Sequence, residues 1–201
     1  MPQDTTQGLR LGRVLRSNTA SFGVGCQALG PEQPRFGALV RALGSHGGAI
    51  YGLIYDVRVE DDPFVRQLVA AGDVQEEYIE DHRRRRQVPV EVSVLVVGGR
   101  DARGRVFYHL PPQPPATLSW VEVCPSPEVR EFGRRLDFLR TVLNAADAPG
   151  DELAAAALRS IAEAQDNPAE ARQVLVAAGR ELARLLARDP LRLNSILQRL
   201  R

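Results

Sequence analysis

The amino-acid sequence predicts an α+β protein in which a small antiparallel sheet or barrel is followed by a bundle of helices. Three observations predict this. Between Leu9 and Glu60, short β-branched and aromatic runs are separated by Gly and Pro, as in a meander that turns back on itself. Val88, Val90, Val92, Val94 and Val96 then recur with a strict period of two, which marks a half-buried strand. From Ser126 onward the apolar residues switch to 3,4 spacing and alanine becomes frequent, the mark of amphipathic helices.

Four strands are expected in the first 60 residues. Leu9–Arg16 and Thr19–Cys26 are joined by a turn at Ser17-Asn18, and a Gly30-Pro31 to Pro34 turn leads to a strand over Gly37–Leu43. Gly44-Ser45-His46-Gly47-Gly48 is read as a tight turn, since it lacks the lysine of a phosphate loop and precedes no helix. It leads to a fourth strand over Ala49–Glu60, where Tyr51, Leu53, Tyr55, Val57 and Val59 alternate with Gly52, Asp56, Arg58 and Glu60 and so are expected to share one apolar face. Residues 61–87 interrupt the β rhythm. Asp62-Pro63 starts a helix bearing Phe64, Val65, Leu68 and Val69, and an acidic stretch and Arg83–Arg86 follow. This segment reads as an excursion on the barrel surface.

After the valine strand, Gly98–Gly104 makes a hairpin into Val106-Phe107-Tyr108. Pro111–Pro115 is expected to stay out of any ladder, because proline has no N–H to donate. A last strand over Leu118–Cys124 closes the region. One helix follows with Ser126 as cap and Pro127 in its first turn, carrying Val129, Phe132, Leu136, Leu139 and Leu143. Further helices are expected to be capped by Asp151, Asn167 and Asp189. The alanines allow close helix packing, within the chain or against another copy. The expected organisation is thus a disordered N-terminus over 1–8, a barrel over 9–125 and a helical domain over 126–201.

Composition excludes several chemistries. All 26 basic residues are arginine, so no Walker-A lysine, Schiff-base lysine or lysine general base exists. The formal net charge is +1, which provides no global field to draw a polyanion; nucleic-acid binding would need a local patch. The polar start Met1–Gln7 lacks the profile of a signal peptide and no apolar run is long enough for a bilayer span, so a cytoplasmic location and no membrane partner are expected. The two cysteines, Cys26 and Cys124, are read as small buried hydrophobes.

Gly12-Arg13-Val14-Leu15 to Phe22-Gly23-Val24, then Phe36-Gly37-Ala38-Leu39-Val40, then Tyr51–Val57 form a glycine-led strand, a Phe-centred strand, a Phe-Gly opening and an aromatic-Gly-aliphatic strand ending in an acid. This order resembles the HAS barrel, the N-terminal domain shared by HerA-type DNA translocases and rotary ATP synthase catalytic subunits. The resemblance implies a closed six-stranded Greek-key β-barrel, without catalytic residues of its own, that crowns a hexameric ring and helps dock a nuclease. Two departures stand out: the 61–87 excursion, and a helical tail where the ATPase of the family would follow. The expectation is therefore a non-catalytic adaptor that contacts a hexameric ATPase or nuclease, or forms a homo-oligomer. Its expected contact surfaces are the excursion and the exposed face of the bundle.

Among candidate sites, Arg83, Arg84, Arg85 and Arg86 are the loudest local signal, and with Arg100, Arg103 and Arg105 they would form a basic stripe for nucleic acid or an acidic partner. Five acids precede the run and can neutralise it. His46, His82 and His109 do not fall at ligand spacing with either cysteine, and Asp56, Glu60, Asp61 and Asp62 read as a polar strand exit, so no metal or cofactor is expected. No Gly-x-Ser-x-Gly elbow is present. Trp120, the sole tryptophan, is expected in the core or as an interface anchor.

Overall fold

Alternation in the N-terminal half produces strands, and their pairing closes a cylinder. A computed structural model describes residues 8–26, 35–44, 47–59 and 90–200. Among these lie seven strands: β1 (Leu9–Ser17), β2 (Ser21–Cys26), β3 (Leu39–Leu43), β4 (Ala49–Val59), β5 (Val90–Arg100), β6 (Val106–Phe107) and β7 (Trp120–Val123). The order β2-β1-β7-β3-β4-β5, with β2 also paired to β5, closes a six-stranded antiparallel barrel, and β6 extends β5 as a short hairpin arm. Residues 1–7 of the expected 1–8 tail, the Gly30–Pro34 turn, His46 and the 61–87 excursion lie outside the described residues.

The barrel interior is packed with Val14, Phe22, Val24, Val40, Ile50, Ile54 and the even-numbered valines of β5, Val90 to Val96, with Val121. The period-two reading of β5 therefore holds at its start. From Leu95 onward both faces are buried, because helices cover the outside. The single apolar face expected for β4 is corrected. Ile50, Gly52 and Ile54 face the interior, whereas Tyr51 and Leu53 face the helices; an irregularity between Ile54 and Asp56 then pairs Val57 with Val92 and packs it against the interior cluster. A bulge inserts one unpaired residue and so reverses the facing of the residues beyond it. A side chain at Gly52 would sit 2.3 Å from Val94 Cγ1, which explains why the strand carries glycine there.

Five helices follow among the described residues: α1 (Ser126–Gly133), α2 (Phe138–Leu143), α3 (Gly150–Glu163), α4 (Pro168–Leu185) and α5 (Pro190–Arg199). The single helix expected to run from Val129 to Leu143 is divided into α1 and α2. The Phe132 carbonyl accepts the Tyr108 hydroxyl at 2.7 Å, and Gly133 packs so closely that a Cβ would meet Ile161 at 2.3 Å. The chain bends where these contacts hold it. Two caps also differ: Pro125 rather than Ser126 precedes α1, and Pro149 precedes α3, leaving Asp151 in its first turn. Asn167 and Asp189 cap as expected, accepting from the Glu170 and Arg192 amides.

Helix α3 is the centre of the helical layer and packs on α1, α2, α4 and α5. Its run Leu153–Leu158 is buried throughout, and Ala156 approaches the barrel at Gly37 rather than only other helices. Gly37 sits beneath them with φ of 82°, and a Cβ there would fall 2.5 Å from Ala156 Cβ. One continuous apolar cluster joins Leu39, Tyr51, Leu53, Leu95 and Val97 on the barrel to Phe132, Phe138, Leu139, Leu153 and Leu158 in the helices. No described helix is long and apolar enough to cross a membrane.

Candidate partner-binding site

The site is built on the joint between barrel and helices, and a polar knot makes that joint. Glu128 in the first turn of α1 is 7% exposed, the one charged side chain buried among the described residues. Its carboxylate accepts the Tyr51 hydroxyl at 2.5 Å and Arg41 Nη1 at 2.5 Å, and Arg100 Nη2 lies 3.3 Å away. Arg41 also donates to Glu122 from Nε and Nη2, at 3.1 and 2.7 Å. Strands β3, β4 and β5 thus each send one group to the Glu128 carboxylate on the helix, and Glu122 of β7 braces Arg41. Two carboxylates face two guanidiniums, and no buried side-chain polar atom is left without a partner among the described residues.

The local chemistry is that of a fastener. Burial, then the Glu128 carboxylate beside it, push the Tyr51 hydroxyl well above its ordinary range, so it stays a donor. Burial opposes the charge on Arg41, but Glu122 and Glu128 more than offset it and hold the guanidinium charged. Burial likewise raises the Cys124 thiol, and it pushes the Cys26 thiol up to about 11, so both buried thiols remain protonated at neutral pH. The buried-hydrophobe reading of the cysteines holds. Sequence reasoning treated Glu128 as an acid at a helix start and missed the knot. The available signal was Arg41, a charge within the apolar run Leu39-Val40-Arg41-Ala42-Leu43.

Two clefts open elsewhere, neither lined by a residue of the knot. One, of about 470 Å³, lies between barrel residues Ser21, Tyr55, Leu95 and Leu110 and the α2 side, where Arg140, Thr141, Asn144, Ala145 and Ala148 face it with Asp147. A second, of about 410 Å³, shares Arg140 and Asn144 and adds Leu185, Arg184 and Arg192. Arg184 is engaged by Glu181 at 2.6 Å and Arg192 by Asp151 at 2.7 Å. Arg140 is exposed and has no carboxylate partner among the described residues. The outer face of α4 and the start of α5 expose Val176 at 47% and Leu191 at 83%.

Of the residues singled out in the sequence, only some are described. Arg83–Arg86, His46, His82, Glu60, Asp61 and Asp62 lie outside the described residues. Arg100 turns toward Glu128, whereas Arg105 Nε binds Asp101 Oδ2 at 2.9 Å on the β5–β6 hairpin. Asp101 also accepts the Arg103 and Arg105 amides, and the Arg105 amide foremost lowers its carboxyl. Arg103 is exposed at the same turn. Asp56 lies 3.6 Å from Arg58, His109 is exposed and stacks on Phe107, and no described group of three His, Cys, Asp or Glu residues is placed to hold a metal. Trp120 is half-buried on the outer wall of the barrel with the guanidiniums of Arg10 and Arg13 over its ring, which corrects its placement in the core. Against known proteins, no family model matches the chain and no curated protein matches it significantly.

Proposed function

We propose that the chain is a non-catalytic adaptor that works by protein contacts, with a HAS-like Greek-key barrel as its head and the helical layer as a second contact surface. On this reading its partner is a ring-forming, HerA-type ATPase or the nuclease that works with it, in the cytoplasm and near DNA processing. The observation that carries the reading is the cleft whose two walls belong to barrel and helices. Its lining is mainly apolar, and one edge carries Arg140, which has no carboxylate partner among the described residues. A preformed apolar cleft with one cationic edge suits a protein segment carrying a carboxylate. A nucleic-acid stripe over Arg100, Arg103 and Arg105 is less well supported, since Arg100 and Arg105 are already engaged by carboxylates.

Coexpression with the HerA-type ATPase and nuclease of the same genome, followed by size-exclusion chromatography with light scattering, tests the proposal. A stable complex that Ala148→Arg or Arg140→Glu abolishes is the expected result. Elution of the chain apart from both candidates overturns it.

A further inference from the structure

A different face of the barrel carries a second binding surface, independent of the adaptor reading. Strand β1 contains Arg10, Arg13 and Arg16 at intervals of three, a spacing that in a regular strand would send them to alternate faces. Two irregularities prevent this. Pairing with β7 shifts between Arg10 and Gly12, and pairing with β2 shifts between Val14 and Arg16. Each shift adds one residue to β1 relative to its neighbour, so that Leu11 turns toward the interior cluster, Val14 is fully buried inside, and Leu15 is left 49% exposed. All three arginines then stand on the outer wall, separated by two-residue steps of about 7 Å. Bulges re-aim side chains in this way beside functional sites.

Trp120 of β7 lies directly opposite Arg13 in the ladder. The Arg13 guanidinium carbon is 3.9 Å from its ring centroid and that of Arg10 is 4.9 Å away. Arg13 Nη1 also donates to the Leu118 carbonyl at 2.8 Å, and Leu118 is held at φ of 65°, a conformation costly for a leucine, while 63% exposed. The carboxylates on this wall are committed elsewhere: Glu91 pairs with Arg16, and Glu122 with Arg41. Arg10 and Arg13 have no carboxylate partner among the described residues.

We propose that the β1–β7 wall binds single-stranded nucleic acid, with Arg10 and Arg13 contacting successive phosphates and the Arg13–Trp120 stack serving as a platform for a base. A row of cations along an extended strand tracks an extended sugar–phosphate chain, and both guanidinium planes and indole rings accept bases without demanding a sequence. An acidic protein surface would satisfy the arginines but leave the stack unused.

Trp120 is the sole tryptophan, so its fluorescence reports on this wall alone. Titration of the full chain with a fluorescein-labelled oligothymidylate, at 50 and 200 mM salt, is expected to raise anisotropy and quench Trp120 together. With about two phosphates neutralised, affinity falls about sevenfold across that salt range. The double variant Arg10→Ala/Arg13→Ala, checked for an unchanged melting temperature, lowers the slope of log affinity against log salt by about 1.4. Retained binding in that variant, anisotropy change without Trp120 quenching, or an equal response to polyglutamate would each overturn the proposal; the last would identify the wall as a contact for an acidic protein.

Discussion

Removing Glu128 isolates the contribution of the polar knot. In Glu128→Ala the Tyr51 hydroxyl, fully buried in the structure, loses its acceptor, and a stranded buried donor costs about 1–3 kcal/mol. Arg41 keeps Glu122, and its side chain and that of Arg100 are 21% and 33% exposed, so water recovers part of what they lose and each contributes at most about 1 kcal/mol. The sum is roughly 3 kcal/mol, which for a chain of this size lowers Tm by about 6–12 °C. Urea unfolding followed by Trp120 fluorescence measures the first quantity, and a thermal melt followed by helical circular dichroism measures the second. Tyr51→Phe removes the donor, so the double variant Tyr51→Phe/Glu128→Ala should recover about 1–2 kcal/mol relative to the sum of the singles. A cost below about 1 kcal/mol for Glu128→Ala, or strict additivity in the cycle, would refute the idea that the knot fastens the helices to the barrel.

Gly37→Ala should cost about 3 kcal/mol, since the residue combines φ of 82° with a Cβ position 2.5 Å from Ala156; chemical denaturation reads this directly, and Ala156→Gly in the same chain should recover part of it. Asn167→Ala and Asp189→Ala each remove a side-chain cap and should cost about 1 kcal/mol, seen as lost helical signal on mild heating. The chain should lose stability in alkali. The Cys26 thiol ionises near 9 when unfolded and at about 11 when folded, so its contribution is intact below pH 9 and is lost as pH rises toward 11, by at most about 2–3 kcal/mol. Guanidinium unfolding at pH 8 and 10.5 measures that slope, and Cys26→Ala should reduce it, leaving the part due to the Cys124 thiol and the Tyr51 hydroxyl, which burial also raises.

Where one periodicity ruled a segment, the sequence was enough. Even-numbered valines from Val90 to Val96 line the interior because a period of two can only mean one face, and Asn167 and Asp189 announce helices through their own hydrogen bonds. Legibility failed where a third element intervened. Tyr51 and Leu53 read as part of one apolar strand face with Val57, yet a helical layer supplies their apolar surroundings from the outside. The α1–α2 bend is set by Tyr108, a residue far along the chain that donates to the Phe132 carbonyl. Glu128 is ordinary as a first-turn acid and unusual only once Arg41, Tyr51 and Arg100 surround it. The arginines of β1 were hidden by the bulges, since a pattern of three means nothing until the register is known.

The seam of the cylinder lies in β7, four residues that pair with β1 on one side and β3 on the other. During synthesis the barrel cannot close until that short strand has emerged, so the outer edges of β1 and β3 stay open while the chain up to the proline-rich stretch is made. Open edges invite pairing with other chains. Closure is also the event that assembles the receptor for α1, because Glu122 on β7 and Arg41 on β3 meet only then. The helices consequently dock on a finished cylinder, and the last strand added decides whether the nascent chain becomes one molecule or seeks its missing strand in a neighbour.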